Sequence, residues 1–180
     1  MLRPAQATHA LRRPIDRLSR SRTCSRFSQV TAIGLWSIAA SNPDLPAVIP
    51  PDGGVVSYAE LAREADRYGR GFQALGLAPG DTVATLLPNG VTALAAYFAA
   101  IETGLYIVPI NWHQVAAEIA YILTDSGAGA FLADERFAGP ALAAADLAGI
   151  KNRFAAGTVP GFEPASAVMN WLKVGPSDRV

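Results

Sequence analysis

One long segment of the chain has the alternating three- and four-residue spacing of a helix with a single buried face. Its apolar positions are Leu61, Ala65, Tyr68, Phe72 and Leu75. Ser57 and Glu60 precede them with the spacing of a capping box, in which each residue satisfies the other's backbone N–H. Gly76 follows the last apolar position and is a typical helix stop. The sequence therefore predicts a helix from about residue 57 to 75.

Short, continuous apolar runs alternate with further helical segments along the rest of the chain. The predicted strands are DTVATLLP from Asp81, residues 106–110, AFLAD from Ala130 and RFAAG from Arg153. The predicted helices are an alanine-rich one capped by Asn89 and ending at Gly104, one over about 116–124, and one in PALAAADLAG. Strands without polar alternation are buried on both faces, as in a parallel sheet covered by helices. We expect an α/β fold, a partial doubly wound and mostly parallel sheet with helices on both faces.

Before and after this region the pattern is weaker. A short helix is predicted to end at Asn42 and Pro43, and an extended segment at 47–49 leads to a hairpin turn at 52–54 (Asp-Gly-Gly). After Ala156 no further strand-helix unit is predicted. We divide the chain into a leader or disordered segment (1–28), an α/β region (29–156) and a loosely ordered tail (157–180).

Charge is distributed unevenly, although the 180-residue chain has 15 basic and 15 acidic residues. Residues 1–28 hold seven of the basic residues and one acid, Asp16. This Arg- and Ser-rich segment has the composition of an organelle transit peptide, or it is a disordered extension; we expect a cytoplasmic protein, with organelle targeting as the alternative. The mildly acidic remainder argues against a nucleic-acid partner. No apolar run is long enough to predict a transmembrane helix.

The candidate site with the best position is Asn111-Trp112-His113, because it follows a buried strand and open α/β sheets bind ligands at that end. The alternative, which we favour, is a turn in which Asn111 bends the chain and Trp112 covers the end of the sheet. Cys24 is the single cysteine, and His9 is the single histidine besides His113. These residues offer neither a metal-binding set nor a Ser-His-acid arrangement.

Four other polar or glycine pairs resemble sites but have structural interpretations. Gly127-x-Gly129 lacks the third glycine and the strand-to-helix order of a dinucleotide fingerprint, so we expect a turn. Asp134 and Glu135 are consecutive, so their side chains point apart and are unsuited to paired acid-base chemistry. We also expect a turn at Gly80-Asp81 and hydrogen bonding at a helix end by Asp125-Ser126. The sequence thus assigns no catalytic, cofactor-binding or metal-binding residue to this chain.

Five short motifs, taken in order, resemble the N-terminal region of the AMP-forming acyl-CoA synthetases, a branch of the adenylate-forming ligases. The resemblance covers roughly residues 31–137, with a weaker similarity that continues to Pro164. The motifs are Ser57-Tyr58-x-Glu60-Leu61, Gly76-Leu77-x-x-Gly80-Asp81-x-Val83, Pro88-Asn89, Gly104-x-Tyr106-x-x-Pro109-Ile110-Asn111 and Glu118-Ile119-x-Tyr121-Ile122-Leu123-x-Asp125-Ser126.

This resemblance implies a carboxylic acid substrate, fatty or other, activated with ATP and magnesium and then transferred to coenzyme A. In that family the chemistry belongs to a phosphate loop ending in Pro-Lys-Gly, an aromatic-Gly-x-Thr-Glu segment and a C-terminal lysine. None of these occurs here, since the two lysines, Lys151 and Lys173, are followed by Asn152 and Val174. We therefore expect an N-terminal fragment that is inactive alone and binds no cofactor by itself.

Two alternatives remain open at this point. The first is a non-enzymatic interaction module whose protein partner covers exposed apolar surface and supplies the missing half. The second is a self-sufficient nucleotide-binding domain. One departure from the family pattern also bears on stability: Val115 stands where relatives commonly have Thr, so the capping box with Glu118 is expected to be lost.

Overall fold

The computed structural model describes residues 34–51 and 53–169. The helices are α1 (Leu35–Ser41), α2 (Tyr58–Ala74), α3 (Val91–Thr103), α4 (Ala116–Asp125), α5 (Ala138–Ala148) and α6 (Ala165–Met169), with a 3-10 turn at Glu135–Phe137. The strands are β1 (Pro46–Val48), β2 (Val56–Ser57), β3 (Thr82–Leu86), β4 (Tyr106–Pro109), β5 (Ala128–Asp134), β6 (Arg153–Ala156) and β7 (Glu163–Pro164). The predicted leader, with His9 and Cys24, lies outside the described residues.

A five-stranded parallel sheet in the order β4-β3-β5-β6-β7 forms the centre of the fold. The chain leaves β3 through α3 to reach β4 on one side, and returns through α4 to β5 on the other side of β3. This reversal defines a doubly wound sheet, and it places the switch point at the carboxyl ends of β3 and β5. The predicted fold class is confirmed.

Side chains of β3 alternate between two buried clusters, one on each face of the sheet. Val83 packs in the cluster formed with α1, α2, α3 and α6, whereas Ala84 and Leu86 pack in the cluster formed with α4 and α5. Every residue of β3 is buried. The sequence of β3 does not alternate between apolar and polar residues because the strand is buried on both faces, as predicted.

The capping box of α2 is present as predicted. The Ser57 N–H donates to Glu60 Oε2 at 2.8 Å, and the Glu60 N–H donates to Ser57 Oγ at 3.3 Å. The helix buries Tyr68 and Phe72 almost completely, with their ring centroids 5.9 Å apart. Polar contacts fix where the helix begins, and burial of its aromatic stripe holds it against the sheet.

Glycine at position 71 allows a close approach between α2 and α6. A Cβ atom built there would overlap the backbone carbonyl of Val168, which is itself buried. Backbone cannot move aside as a flexible side chain can. Any larger residue at Gly71 would therefore have to displace α6 from the cluster.

The tail prediction was wrong for residues 157–169. Here β7 pairs with β6, with Phe154 opposite Glu163 and Ala155 opposite Pro164, and α6 follows directly. A two-residue strand has too little local pattern to be recognised, and its stability comes from a long-range pairing. Pro164 is compatible with this place because β7 is the last strand of the sheet, where no further N–H is needed.

Two local predictions also need correction. The cap position of α3 is Gly90 rather than Asn89, and no side chain caps it. Gly127 does turn the chain, with φ of 60°, but Gly129 lies within β5. A Cβ at Gly129 would come within 2.6 Å of Leu77 Cδ2, the end of a flexible side chain, so a larger residue there would require Leu77 to move.

The predicted hairpin joins β1 and β2, which pair antiparallel with Pro46 opposite Ser57. Gly53 has φ of 86°, as the turn requires, while Asp52 lies outside the description. Among the helices that the structure describes, none is long and apolar enough to cross a bilayer.

Candidate functional site

The carboxyl ends of the parallel strands bring four loops to one edge of the sheet. These loops follow β3, β4, β5 and β6. They include the predicted candidates Asn111, Trp112, His113 and Glu135, and Asp134 ends β5. Ligands of open α/β sheets bind along this edge.

Asn111 turns the chain after β4. Its Oδ1 accepts the His113 N–H at 3.0 Å, and its carbonyl accepts the Gln114 N–H at 3.1 Å. Trp112 stacks on Phe137, with centroids 5.7 Å apart and planes 11° apart, and so spans from the end of β4 to the loop after β5. The His113 ring lies against Trp112, with centroids 3.5 Å apart. This geometry is that of a turn with an aromatic cover, which the sequence favoured for the segment.

The helix that follows keeps half of its capping box, so the expected loss is only partial. Glu118 Oε2 still accepts the Val115 N–H at 3.2 Å. Val115 supplies no side-chain acceptor in return. The missing half is the bond that a hydroxyl at position 115 would accept from the first turn of α4.

Asp134 and Glu135 do not form a pair, because each carboxylate binds a different partner. Asp134 Oδ1 accepts from Arg136 Nε at 2.8 Å and from the Arg136 N–H at 3.0 Å. These bonds hold the pKa of the Asp134 carboxyl below its usual range. Glu135 Oε2 instead accepts the Thr158 N–H at 2.9 Å, which ties the loop after β5 to the loop after β6. Gly157 leaves the room that the Glu135 side chain occupies.

The remaining candidates have local structural contacts. Gly80, with φ of 97°, and Asp81, whose Oδ2 accepts the Ala78 N–H at 2.7 Å, form the predicted turn into β3. Ser126 donates to the Leu123 carbonyl at 3.5 Å, at the end of α4. Within residues 34–51 and 53–169, no three His, Cys, Asp or Glu side chains converge to hold a metal ion.

A cleft that the sequence did not predict opens between α3 and the carboxyl ends of β3 and β4. It has a volume of about 530 Å³. Its lining is Thr85, Leu87, Asn89, Gly90, Ala93, Leu94, Tyr97, Ile107 and Pro109. The register of β3 against β4 explains which residues line the cleft, because Thr85 lies opposite Pro109 and both side chains face α3. The pairing of β3 with β4 is not visible in either strand alone, so no local signal could have revealed this cleft.

Comparison with known proteins now identifies the family. The sequence model described as AMP-binding enzyme matches residues 35–167, about three quarters of the chain. This chain belongs to the AMP-binding enzyme family. The match extends beyond the predicted range of 31–137 at its C-terminal end and includes β7 and most of α6.

Curated relatives within the AMP-binding family are ligases. The chain is 35% identical over 99 residues to the fatty acid–[acyl-carrier-protein] ligase ScoC of Streptomyces coeruleorubidus, covering 55% of this chain and 19% of the relative. It is 39% identical over 90 residues to the long-chain-fatty-acid–CoA ligase FadD13 of Mycobacterium tuberculosis, covering 49% and 18%. A feruloyl-CoA synthase of Amycolatopsis sp. is 35% identical over 101 residues, covering 56% and 21%. The matched part of the chain is thus about a fifth of the length of these relatives.

Solved structures agree with the fold. A fatty acyl CoA synthetase of Mycobacterium tuberculosis has a TM-score of 0.62 at 30% identity, covering 81% of this chain and 28% of that one. A benzoate CoA ligase from Burkholderia xenovorans LB400 has a TM-score of 0.68 at 22% identity, covering 76% and 27%. The second likeness shows the fold alone.

The family motifs form structural joints in this part of the AMP-binding fold. The first begins α2, the second leads from α2 into β3, the third leaves β3, the fourth contains β4, and the fifth forms most of α4. The first four lie where one element passes to the next, and the fifth runs along α4 to its end. The contacts described above account for them through capping, turning and burial.

Proposed function

We propose that this chain acts as the N-terminal segment of an AMP-forming acid–thiol ligase. In such an enzyme a carboxylic acid and ATP, with magnesium, give an acyl-adenylate and pyrophosphate, and the acyl group then passes to the thiol of coenzyme A or a carrier protein. The observation that carries this proposal is the family match over residues 35–167, supported by relatives that are acyl ligases.

The role of the segment in that enzyme is to build and position one part of the large α/β domain. Two of its polar side chains at the carboxyl edge are already engaged, since Asn111 bonds within its own loop and Glu135 bonds to the loop after β6. A triphosphate site needs several backbone amides converging with a cation. Lys151, exposed after α5, follows no glycine-rich loop, and Lys173 lies outside the described residues. We therefore propose that the chain alone does not form acyl-adenylate.

Fatty acids are the substrate class that we favour for the complete enzyme. Two of the relatives described above act on fatty acids by name, including the one at 39% identity. The feruloyl-CoA synthase shows that an aromatic acid is the main competing class. A panel of acids should therefore include palmitate, ferulate and benzoate.

The test has two parts. Purified 180-residue chain should give no acid-dependent ATP–pyrophosphate exchange with this panel, whereas a complete long-chain-fatty-acid–CoA ligase assayed beside it should; exchange above the blank would contradict the proposed inactivity. In the second part, residues 35–167 replace the corresponding segment of that ligase. Retained exchange by the chimera supports the scaffold role, and a folded but inactive chimera counts against it.

An interaction module is the second candidate function, and one surface favours it. Trp112, Val115 and Tyr121, on α4 and the loop before it, are 49%, 62% and 67% exposed. Such apolar groups commonly lie against another protein. Co-expression with the complementary C-terminal part of a family ligase should yield a stable complex and shield these residues from solvent. If the two parts elute separately and both remain monomeric, this candidate is excluded.

A further inference from the structure

The cleft under α3 has the features of a small-molecule site that neither the family match nor the proposed ligase role assigns. We propose that it binds a small, neutral and largely apolar molecule that carries a hydrogen-bond acceptor such as a ketone or ester carbonyl. Its volume of about 530 Å³ lies within the range of roughly 300–1,000 Å³ typical of ligand pockets.

Thr85 supplies the polar anchor at the floor of the cleft. The residue is 95% buried on a central strand, and its side chain faces the cavity. Across the described part of the chain, its hydroxyl makes no hydrogen bond to protein, in contrast to Thr103 and Thr124, which donate to helix carbonyls. The hydroxyl is open to the cleft, whereas the one fully buried side-chain polar atom without a partner in the described residues is Gln114 Oε1, in the loop before α4. A ligand carbonyl that accepts from Thr85 would form a hydrogen bond inside a largely apolar cleft.

Further donors lie beside Thr85 at the beginning of α3. Gly90 occupies the cap position without a side-chain acceptor, so the first-turn amides of this 13-residue helix lack a cap. Asn89, Gly90 and Ala93 line the same cleft. The helix amides can only donate and the hydroxyl can also donate, so an acceptor group in the ligand satisfies both.

The charge of the lining selects a neutral ligand over an anion. The nine lining residues include no Lys, Arg or His, and most are aliphatic or aromatic. A carboxylate moved into this cleft would lose hydration and gain only the partial positive charge at the start of α3, with no side-chain cation to pair with it. The inferred ligand is therefore different in class from the acid substrate of the proposed ligase.

The backbone of β4 argues against a strand of another protein as the occupant. The Tyr106 N–H donates to the Asp81 carbonyl just before β3, and the Ile110 N–H donates to Thr85, so alternation directs the backbone groups of Ile107 and Pro109 toward the free edge. Pro109 has no N–H to offer there. An added strand could obtain little hydrogen bonding from this edge.

A second copy of the chain is also a poor occupant. The exposed apolar side chains around the cleft are Leu94, Tyr97, Ile101 and Tyr106. Together they offer on the order of 400 Å² per copy, against roughly 800 Å² per partner in a stable interface. No charged pair on the lining would add to that. A small ligand can fill the cleft, whereas a flat interface with a second copy would leave the cleft empty.

The experiment uses 15N-labelled full chain titrated with 4-methylacetophenone and followed by amide chemical shifts. Shifts should concentrate on the residues that line the cleft. Thr85→Val, which removes the hydroxyl and keeps the shape, should weaken binding about tenfold, the effect of losing one good hydrogen bond. Thr124→Val, the same change on the other face of the sheet, should leave binding unchanged. Ala93→Leu, which fills the cleft from α3, should abolish binding.

Two analogues separate the parts of the inference. 1-Ethyl-4-methylbenzene, which lacks the carbonyl, should bind more weakly than the ketone and equally to the natural chain and Thr85→Val. 4-Methylbenzoate should bind at least about tenfold more weakly than the ketone, because it carries a charge. Absence of ketone shifts at the cleft, equal ketone affinity in Thr85→Val, or tighter binding of the benzoate would each overturn the proposal.

Discussion

The two halves of the sheet's carboxyl edge differ in how many of their polar groups have hydrogen-bond partners in the protein. At the β5–β6 half, Asp134 binds Arg136 and Glu135 binds the Thr158 amide, so the loops hold each other. At the β3–β4 half, the Thr85 hydroxyl lacks a protein partner within the described residues, and α3 begins without a side-chain cap. Position at the carboxyl edge of the sheet is therefore not enough to form a ligand-binding site. A buried polar side chain that faces a cleft without a protein partner is the better indicator of such a site.

The largest effect is expected from disturbing the β5–β6 half at Gly157. Its φ is 90°, and a Cβ atom would occupy the space of the Glu135 carboxyl. Gly157→Ala should therefore lower the free energy of unfolding by about 2 kcal/mol, through backbone strain and loss of the Glu135 contact. Urea unfolding measures this. Gly139→Ala is the matched control, because open space surrounds Gly139 in α5; an equal loss in both variants would contradict the explanation.

A paired substitution compares the two halves directly. Glu135→Ala removes the acceptor of the Thr158 N–H and should cost about 1 kcal/mol. Thr85→Val removes a hydroxyl that has no protein partner in the described chain, so the free energy of unfolding should stay within about 0.5 kcal/mol or rise. Thermal and urea unfolding of both variants provide the test. A larger loss for Thr85→Val than for Glu135→Ala would reverse the comparison.

Restoring a cap at the β3–β4 half should stabilise the chain. Glu118 already accepts the Val115 N–H, so Val115→Thr adds the missing acceptor for the first turn of α4. We expect a gain of about 1 kcal/mol in the free energy of unfolding. Ser57→Ala, which breaks the complete capping box of α2, should give a loss of similar size. No gain for Val115→Thr would show that the loop backbone does not suit a side-chain cap.

The smallest effect concerns acid stability at Asp134. Hydrogen bonding to Arg136 lowers the pKa of this carboxyl in the folded chain. Its contribution is therefore present above the unfolded pKa and is lost as pH falls through the lowered folded pKa. Asp134→Asn should cost about 0.5 kcal/mol near neutral pH, because the Arg136 side chain is 62% exposed and solvent screens the pair. Unfolding between pH 2 and 7 should show the difference vanish in acid; a constant difference would contradict the ionic origin.

The sequence predicts the elements that are stabilised by residues close to one another in the chain. The stripe of α2 and its Ser57–Glu60 box are contained in one segment of sequence, and the continuous apolar run of β3 reports burial on both faces. The turn at Asn111 follows from a single side chain. These features need no knowledge of distant residues.

Features created by distant pairing could not be predicted in this way. β7 exists because Glu163 lies opposite Phe154, and the cleft exists because Thr85 lies opposite Pro109. The Glu135–Thr158 bond joins residues 23 positions apart. Gly129 was assigned to a turn because the pairing of β5 with β3, which places it inside a strand, involves distant residues.

Amide hydrogen–deuterium exchange of the intact chain tests the contrast between the two halves most directly. The Thr158 amide should exchange more slowly than the first-turn amides of α3, and Glu135→Ala should selectively accelerate it. Saturating 4-methylacetophenone should slow the α3 amides and leave Thr158 unaffected. Equal exchange rates at Thr158 and at the first turn of α3 would contradict this account. So would an unchanged exchange rate of the Thr158 amide in Glu135→Ala.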